Sequence, residues 1–197
     1  MNFILASGSP RRKQILHELG IAFSVCPATV AEVTVDRCPE RIPVLNAVAK
    51  AEAVAVDHPD AVVMGADTVI EFAGRAVGKP ADQEEAGRML LQLSGRTHTV
   101  LTAVALLCRA AAIRCIFCVS TRVVFRAFGP ETVAAYLARV HVLDKAGAYA
   151  LQEHGDMLVA GIVGPADNVI GLPGAELREA LQCCGLASLM ANDAPSR

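Results

Sequence analysis

Ala61-Val62-Val63-Met64-Gly65-Ala66-Asp67-Thr68-Val69-Ile70-Glu71-Phe72 is the stretch that decides the fold. Its apolar residues run almost without interruption, which is typical of a strand in the centre of a sheet. Ala73-Gly74 follows as a turn, and Arg75 to Val77 has the pattern of a short return strand. The sequence therefore predicts a long buried strand that opens a hairpin.

Asp67 breaks this apolar run. A buried carboxylate needs a cation, a metal or several hydrogen-bond donors, because an unpaired charge is not tolerated in a core. The alternative is an Asp at a strand end, in a turn or in water. The small residues Gly65 and Ala66 would let a ligand approach the backbone, which favours a functional carboxylate.

On either side of this strand the chain alternates between strand and helix patterns. A first strand is predicted at Phe3 to Ala6, and a helix opens at Ser9-Pro10 and ends at Gly20. The tail after Leu189 has no pattern and is expected to be frayed. The order of elements indicates a mixed α/β protein, with these further segments: strands at 21–26, 97–107, 114–125 and 157–163, and helices at 44–56, 80–95, 131–138 and 173–182.

Composition limits the classes of function. The 197 residues are 53% hydrophobic and 19% charged, enough for one compact domain or two joined lobes. The net charge of -2 argues against a general nucleic-acid binder, so an anionic substrate must be met by local positive charge. The longest apolar stretch, Thr99 to Ser120, is interrupted by Arg109 and Arg114, so no membrane span is expected and a cytoplasmic location is the default.

The seven cysteines include one C-x-x-C pair, Cys115 and Cys118, which in principle could ligate zinc or act in redox chemistry. The pair lies in an apolar run and has no second pair at ligand spacing. A packing role is therefore expected.

The first helix carries cations where a helix ordinarily carries acids. Arg11, Arg12 and Lys13 lie in its opening turn, and each is unfavourable by ~0.3–1 kcal/mol against the helix dipole. A bound phosphate would reverse the sign of those terms, whereas a solvated basic turn is the plain alternative. The helix expected from Pro80 has the ordinary arrangement, with acids in its first turns, so the contrast favours an anion site at Ser7 to Arg12.

Two further segments are candidates for the same site. Lys79 follows the predicted hairpin and could face the same cleft as Asp67, although a solvated loop lysine is equally consistent with its spacing. Leu143 to Tyr149, followed by Gln152, mixes small and charged residues without an amphipathic period, which indicates an ordered loop that contacts a partner.

Together these segments resemble the Maf family of nucleotide pyrophosphatases over roughly residues 4–181. The matching motifs occur in the family's order, and they are Leu5-Ala6-Ser7-Gly8-Ser9-Pro10-Arg11-Arg12, Gly65-Ala66-Asp67-Thr68-Val69 with Gly78-Lys79-Pro80, Leu93-Ser94-Gly95-Arg96-Thr97-His98, Asp144-Lys145-Ala146-Gly147-Ala148-Tyr149, and Asn168 with Gly171-Leu172-Pro173. The resemblance implies an α/β fold of the Maf/inosine-triphosphatase type. Its elongated mixed sheet is flanked by helices, and two lobes of one domain over residues 1–197 surround a deep cleft.

The resemblance also implies residue roles. Asp67 matches the catalytic base, and Glu32 matches a second acidic residue that would hold Mg²⁺ or Mn²⁺ with Asp67. Phosphate-holding positions are matched by Ser7, Arg12, Lys50 and Lys79. Positions associated with substrate choice are matched by Arg11, Thr68 and Gln152, in the combination of the dTTP/UTP subgroup.

The expected reaction is hydrolysis of dTTP or UTP, or of modified pyrimidine nucleotides, to the monophosphate and pyrophosphate. Two alternatives stay open: a 7-methyl-GTP pyrophosphatase, and a catalytically silent nucleotide-binding regulator of cell division. The chain departs from the family at Ala31, where an Asp commonly precedes the Glu, at Ala150-Leu151 and at Pro165-Ala166. No nucleic-acid or membrane partner is expected, and a homodimer is left open.

Overall fold

The computed structural model describes residues 1–190, which form a mixed sheet flanked by helices. The strands are β1 (Phe3–Leu5), β2 (Ser24–Val25), β3 (Val62–Phe72), β4 (Arg75–Val77), β5 (Thr97–Cys108), β6 (Ile113–Phe125) and β7 (Val159–Val163). The helices are α1 (Pro10–Glu18), α2 (Arg41–Ala55), α3 (Gln83–Leu93), α4 (Pro130–Leu137), α5 (Ala166–Ile170) and α6 (Gly174–Cys183).

The sheet runs in the order β2-β1-β3-β5-β6-β7, with β4 paired to β3. β1 is parallel to both of its neighbours, while β3, β5, β6 and β7 pair antiparallel. The long β5 and β6 are paired along their whole length, from Thr97 opposite Val124 to Cys108 opposite Ile113. The elongated mixed sheet expected from the sequence is confirmed.

One edge of β3 is left open in the middle of the strand. On that edge β1 pairs with β3 only as far as Leu5 opposite Met64, and β4 begins to pair at Ile70 opposite Val77. From Gly65 to Val69, among the described residues, β3 therefore pairs with β5 alone. A crevice beside the carboxyl end of a parallel strand is the usual place for a ligand in an open α/β sheet.

The apolar core falls into two parts on the face that carries Thr68, one at each end of the long strands. The first joins β1, α1 and α6 around Leu5 and Leu177, and the second joins α3, α4 and the end of β6 around Leu90 and Phe125. A third cluster packs α2 on the opposite face of the sheet. The open part of β3 lies between the first two clusters.

Gly65 has a different role from the one predicted. A Cβ on this residue would lie 2.1 Å from the carbonyl oxygen of Ala47 and 2.7 Å from the amide nitrogen of Ala51, both in α2. The small residue therefore admits the backbone of a helix, not a ligand. This close approach brings the inner face of α2 directly over β3.

Most predicted elements are confirmed, with two corrections. The helix expected from Pro80 begins at Gln83, because the side chain of Asp82 accepts a hydrogen bond from the Glu85 amide and caps it there. The strand expected over 21–26 is reduced to Ser24–Val25, both exposed. Met190 bridges to Ile21, and the rest of the predicted frayed tail lies outside the described residues.

Within residues 1–190 no helix combines the length and the apolar character that a membrane crossing requires.

Candidate active site

The open edge of β3 lies in a cleft of about 360 Å³. All nine residues selected from the sequence line this cleft: Ser7, Arg11, Arg12, Glu32, Lys50, Asp67, Thr68, Lys79 and Gln152. Side chains alternate between faces along a strand, so Asp67 points to the α2 face and Thr68 to the opposite face. A ligand in the cleft can therefore contact both faces across the strand edge.

Asp67 is the centre of a buried ionic cluster. The side-chain nitrogen of Lys50 lies 2.7 Å from Oδ1 of Asp67 and 2.6 Å from Oε1 of Glu32, so one ammonium bridges two carboxylates. The Asp67 side chain is 11% exposed, whereas the Glu32 side chain is 43% exposed at the cleft mouth. The sequence predicts that a buried Asp67 needs a cation, a metal or hydrogen-bond donors. In the structure this cation is Lys50, a residue for which the resemblance implied only phosphate binding.

Asn46 also belongs to this cluster and was missed from the sequence. Its Nδ2 donates to Oδ2 of Asp67 at 3.0 Å and to the Val33 carbonyl at 3.0 Å, while its Oδ1 accepts from the Val33 amide at 2.8 Å. Asn46 therefore orients Asp67 and ties the irregular segment that carries Glu32 to α2. The available signal was its spacing: Asn46 and Lys50 are four residues apart on one helix face.

Arg12 is buried at the start of α1, where three of its five N–H groups are used. Nε donates to the Gly171 carbonyl at 2.9 Å, NH1 to Oγ of Ser7 at 3.0 Å, and NH2 to Oγ1 of Thr68 at 3.2 Å. Burial lowers the pKa of Arg12, and the charge of Asp67 opposes that shift. The guanidinium is thus held rigidly at the cleft, with N–H groups left for an anion.

The other cations enter the cleft from separate segments. Arg11 donates from Nε to the Ile170 carbonyl at 3.1 Å, and Lys79 lies beyond the β3–β4 hairpin as predicted. Lys145, which the sequence motif contains but the predicted site omitted, is 6% exposed. Its Nζ donates to the His141 carbonyl at 2.5 Å and to Asp144 at 3.0 Å, which anchors the loop that also carries Gln152.

Positive charge therefore exceeds negative charge in the cleft, although the whole chain carries a net charge of -2. The cations are Arg11, Arg12, Lys50, Lys79 and Lys145, and the carboxylates are Glu32, Asp67 and Asp144. The hydrogen bond from Lys50 lowers the pKa of Glu32 against the effect of burial, and the charges of Lys50, Lys79 and Arg12 lower it further. Such a field favours a polyanionic ligand.

Glu32 and Asp67 offer carboxylate oxygens to a divalent metal. Among residues 1–190 no three His, Cys, Asp or Glu side chains are grouped so that they could hold an ion. Mg²⁺ is usually bound through one or two carboxylates together with substrate phosphates and water. The oxygen donors of Glu32 and Asp67 fit such a partial ligand set.

His98 and the two cysteines of the C-x-x-C pair do not line the cleft. His98 is 2% exposed, lies 2.8 Å from the Tyr149 hydroxyl, and burial lowers its pKa to about 4. Cys115 and Cys118 are three residues apart on β6 and so face opposite sides of the sheet. Cys115 packs against the first core cluster as expected, whereas Cys118 is exposed and does not have the packing role predicted for it.

The fold and the cleft define a class: an α/β protein that binds a polyanion beside a buried carboxylate. Comparison with known proteins identifies the family. The family model described as "Maf-like protein" matches residues 2–184, and the chain belongs to this family.

Several curated relatives cover almost the whole chain. A protein of Akkermansia muciniphila named dTTP/UTP pyrophosphatase is 45% identical, over 91% of this chain and 93% of its own length. Proteins of the same name from Moorella thermoacetica and Desulfotalea psychrophila are 44% and 43% identical, over 93% and 90% of this chain and 95% and 92% of their own lengths. Among solved structures, the Ham1 protein of Staphylococcus aureus aligns with a TM-score of 0.46 and 17% identity, over 79% of this chain and 90% of that one.

Proposed function

We propose that this chain is a nucleoside triphosphate pyrophosphatase that hydrolyses dTTP and UTP to the monophosphate and pyrophosphate. Relatives of 43–45% identity over nearly their whole length carry that name. The observation that carries the proposal is the cluster of Asp67, Lys50 and Glu32 in a cleft whose cations outnumber its carboxylates. The positive charge favours a triphosphate as the ligand, and the carboxylate of Asp67 can act as the base in its hydrolysis.

The reaction is a water attack at the α-phosphorus. A new bond joins the water oxygen to that phosphorus, the bond to the bridging oxygen of the β-phosphate breaks, and pyrophosphate departs. Asp67 accepts the proton of the water, and its direct contacts with Lys50 and Asn46 hold its carboxylate in one orientation.

The charge that builds on the departing pyrophosphate is met by Arg12, Lys50 and Lys79. Preorganised cations aimed at developing charge are usually the largest contribution to phosphoryl-transfer catalysis. Arg12 is suited to this role because its three internal hydrogen bonds fix the guanidinium before substrate arrives. Ser7, bonded to Arg12, would contact the same phosphates.

Glu32 and Asp67 would hold Mg²⁺ or Mn²⁺ together with the triphosphate. When bound, the cation supplies further positive charge to the phosphate oxygens. This part of the proposal rests on the oxygen donors of the pair and on the exposure of Glu32 at the cleft mouth.

Arg11, Thr68 and Gln152 would select the base. The amide of Gln152 both donates and accepts hydrogen bonds, as the pairing edge of thymine or uracil does. A 7-methyl-GTP pyrophosphatase would need a different set at these positions. A catalytically silent nucleotide binder would have no need for the oriented carboxylate of Asp67.

A panel of nucleotides tests the proposal. Pyrophosphate release is measured for dTTP, UTP, dCTP, ATP, GTP and 7-methyl-GTP, with Mg²⁺ or Mn²⁺ and with chelator. We expect dTTP and UTP to exceed the purine triphosphates at least about tenfold in kcat/KM, the ratio that one unpaired buried polar group implies. A preference for 7-methyl-GTP would overturn the substrate assignment, and nucleotide binding without product would favour the silent regulator.

A further inference from the structure

A chain of buried hydroxyl groups continues from Thr68 into the protein. Thr68 is half-buried at the cleft, and its Oγ1 lies 2.9 Å from Oγ1 of Thr102 on the neighbouring strand β5. Thr102 is fully buried, and its hydroxyl donates to the carbonyl of Asn168 at 2.9 Å. Neither Thr102 nor Asn168 lines the cleft.

The carbonyl of Asn168 depends on Thr102. It lies near the end of the short helix α5, where the following amides, Gly171 and Leu172, both donate to Asp167 instead. Asn168 itself is 0% exposed, and its Nδ2 is bound to the Val100 carbonyl and to Oγ1 of Thr121, so the residue is fixed in place. If the Thr102 hydroxyl turned away, a buried carbonyl would lose its donor, which is strongly unfavourable.

These contacts determine the direction of the bond between the two threonines. A hydroxyl has one proton, and that of Thr102 is used on Asn168. Thr68 must therefore donate its own proton inward to Thr102. The Thr68 oxygen also accepts a hydrogen bond from NH2 of Arg12 at 3.2 Å. The direction of this bond is fixed, because a guanidinium can only donate.

We propose that Thr102 and the Asn168 carbonyl fix Thr68 as a hydrogen-bond acceptor towards the cleft, and that this acceptor recognises the N3–H of thymine or uracil. Cytosine has an unprotonated N3 that presents a lone pair at the same position, so it meets an acceptor with an acceptor. Thr102 is a positioning residue that discriminates dTTP from dCTP without contacting either nucleotide. The inference rests on the proposed function, since it assumes a pyrimidine triphosphate in this cleft.

The experiment compares kcat/KM for dTTP and dCTP in the unmodified protein and in Thr102→Val. Valine keeps the shape of threonine but removes the inward acceptor, so the Thr68 hydroxyl becomes free to turn and donate to N3 of cytosine. The unmodified protein is expected to favour dTTP by about tenfold or more, and Thr102→Val to reduce that ratio by about tenfold. Most of the change should come from improved use of dCTP, an outcome that simple loss of structure does not give.

Thr121→Val is the matched control. Thr121 is also 0% exposed, donates to the Pro165 carbonyl at 2.8 Å and contacts Asn168, but it has no recorded bond to Thr68. Its dTTP to dCTP ratio should stay within about twofold of the unmodified ratio while its stability falls by a similar amount. An equal fall of the ratio in both variants would overturn the role of Thr102.

Each of the remaining outcomes either supports the proposal or overturns it. If Thr102→Val does not fold, Thr68→Val is measured, because loss of the acceptor must reduce the ratio by lowering dTTP turnover; an unchanged ratio contradicts the proposal. Equal use of dCTP and dTTP by the unmodified protein overturns the inference but leaves the pyrophosphatase activity intact. Absence of pyrophosphate from every pyrimidine triphosphate would instead overturn the proposed function.

Discussion

Replacing Asp67 with asparagine removes one charge from the cleft and keeps the shape of the side chain. The native carboxylate accepts from Lys50 at Oδ1 and from Asn46 at Oδ2. In Asp67→Asn the remaining oxygen can accept from Lys50, but the new NH₂ group then faces the Nδ2 donor of Asn46. Asn46 cannot simply turn over, because both ends of its amide are bound to Val33.

The structural cost is therefore one buried hydrogen bond and two opposed donors, about 1–3 kcal/mol of unfolding free energy. This is smaller than the stability of about 5–15 kcal/mol typical of a domain, so the variant should fold. The effect on kcat should be larger than the effect on folding. Loss of a general base lowers kcat by about 100-fold or more, equivalent to roughly 2.7 kcal/mol of transition-state stabilisation.

Three measurements separate these effects: pyrophosphate release from dTTP, urea unfolding, and dTTP binding by calorimetry. Glu71→Gln is the matched control, since it makes the same chemical change four residues along β3, at a side chain whose recorded bond is to the Gly74 amide. Its kcat should be close to that of the unmodified protein. A near-normal kcat in Asp67→Asn would remove the carboxylate from the mechanism, and a change in KM alone would leave it only a binding role.

Other consequences of the structure can be measured in the same way. Gly65→Ala should lower the unfolding free energy by about 3 kcal/mol or more, because its Cβ would lie 2.1 Å from the Ala47 carbonyl; Gly161→Ala in β7, with open space around the new methyl, should be nearly neutral, and equal effects would refute this explanation. His98 has a pKa of about 4 in the fold against an ordinary 6.5, so urea stability should fall as pH decreases from 6.5 towards 4, and His98→Gln should show a flatter profile; identical profiles would contradict the buried neutral imidazole. Asn46→Ala should reduce kcat/KM for dTTP by about tenfold or more, since Asp67 loses a donor and the segment of Glu32 loses its tether, whereas unchanged kinetics would remove Asn46 from the site.

Much of the fold could be predicted because its long strands carry strong local patterns. The apolar runs of β3, β5 and β6 have no competing helical period, and the Ala73-Gly74 turn marks the hairpin at residues with positive φ. The start of α3 was misplaced because Pro80 is a permitted first residue of a helix, whereas the cap that decides the start is the side chain of Asp82. The limits of β2 could not be predicted, because its two exposed residues are too few to show an alternation of apolar and polar side chains.

The site was predictable where a residue contradicts its own local environment. Asp67 in an apolar strand and the arginines that open α1 are all visible in the sequence, and all line the cleft. Residues that act through long-range contacts gave no such signal. Thr102 is an unremarkable strand residue until its partner, 66 positions away in the chain, is known. The prediction for Gly65 was wrong for the same reason. Only the packing of α2 against β3 shows that the space beside Gly65 is filled by a helix backbone.

The position of the transferred oxygen tests the central claim most directly. Hydrolysis of dTTP in ¹⁸O-labelled water is followed by mass spectrometry of both products. Water attack at the α-phosphorus puts the label on thymidine monophosphate and leaves pyrophosphate unlabelled. Label in pyrophosphate, or release of orthophosphate as the first product, would contradict the assignment of this cleft to a nucleotide pyrophosphatase that attacks the α-phosphorus.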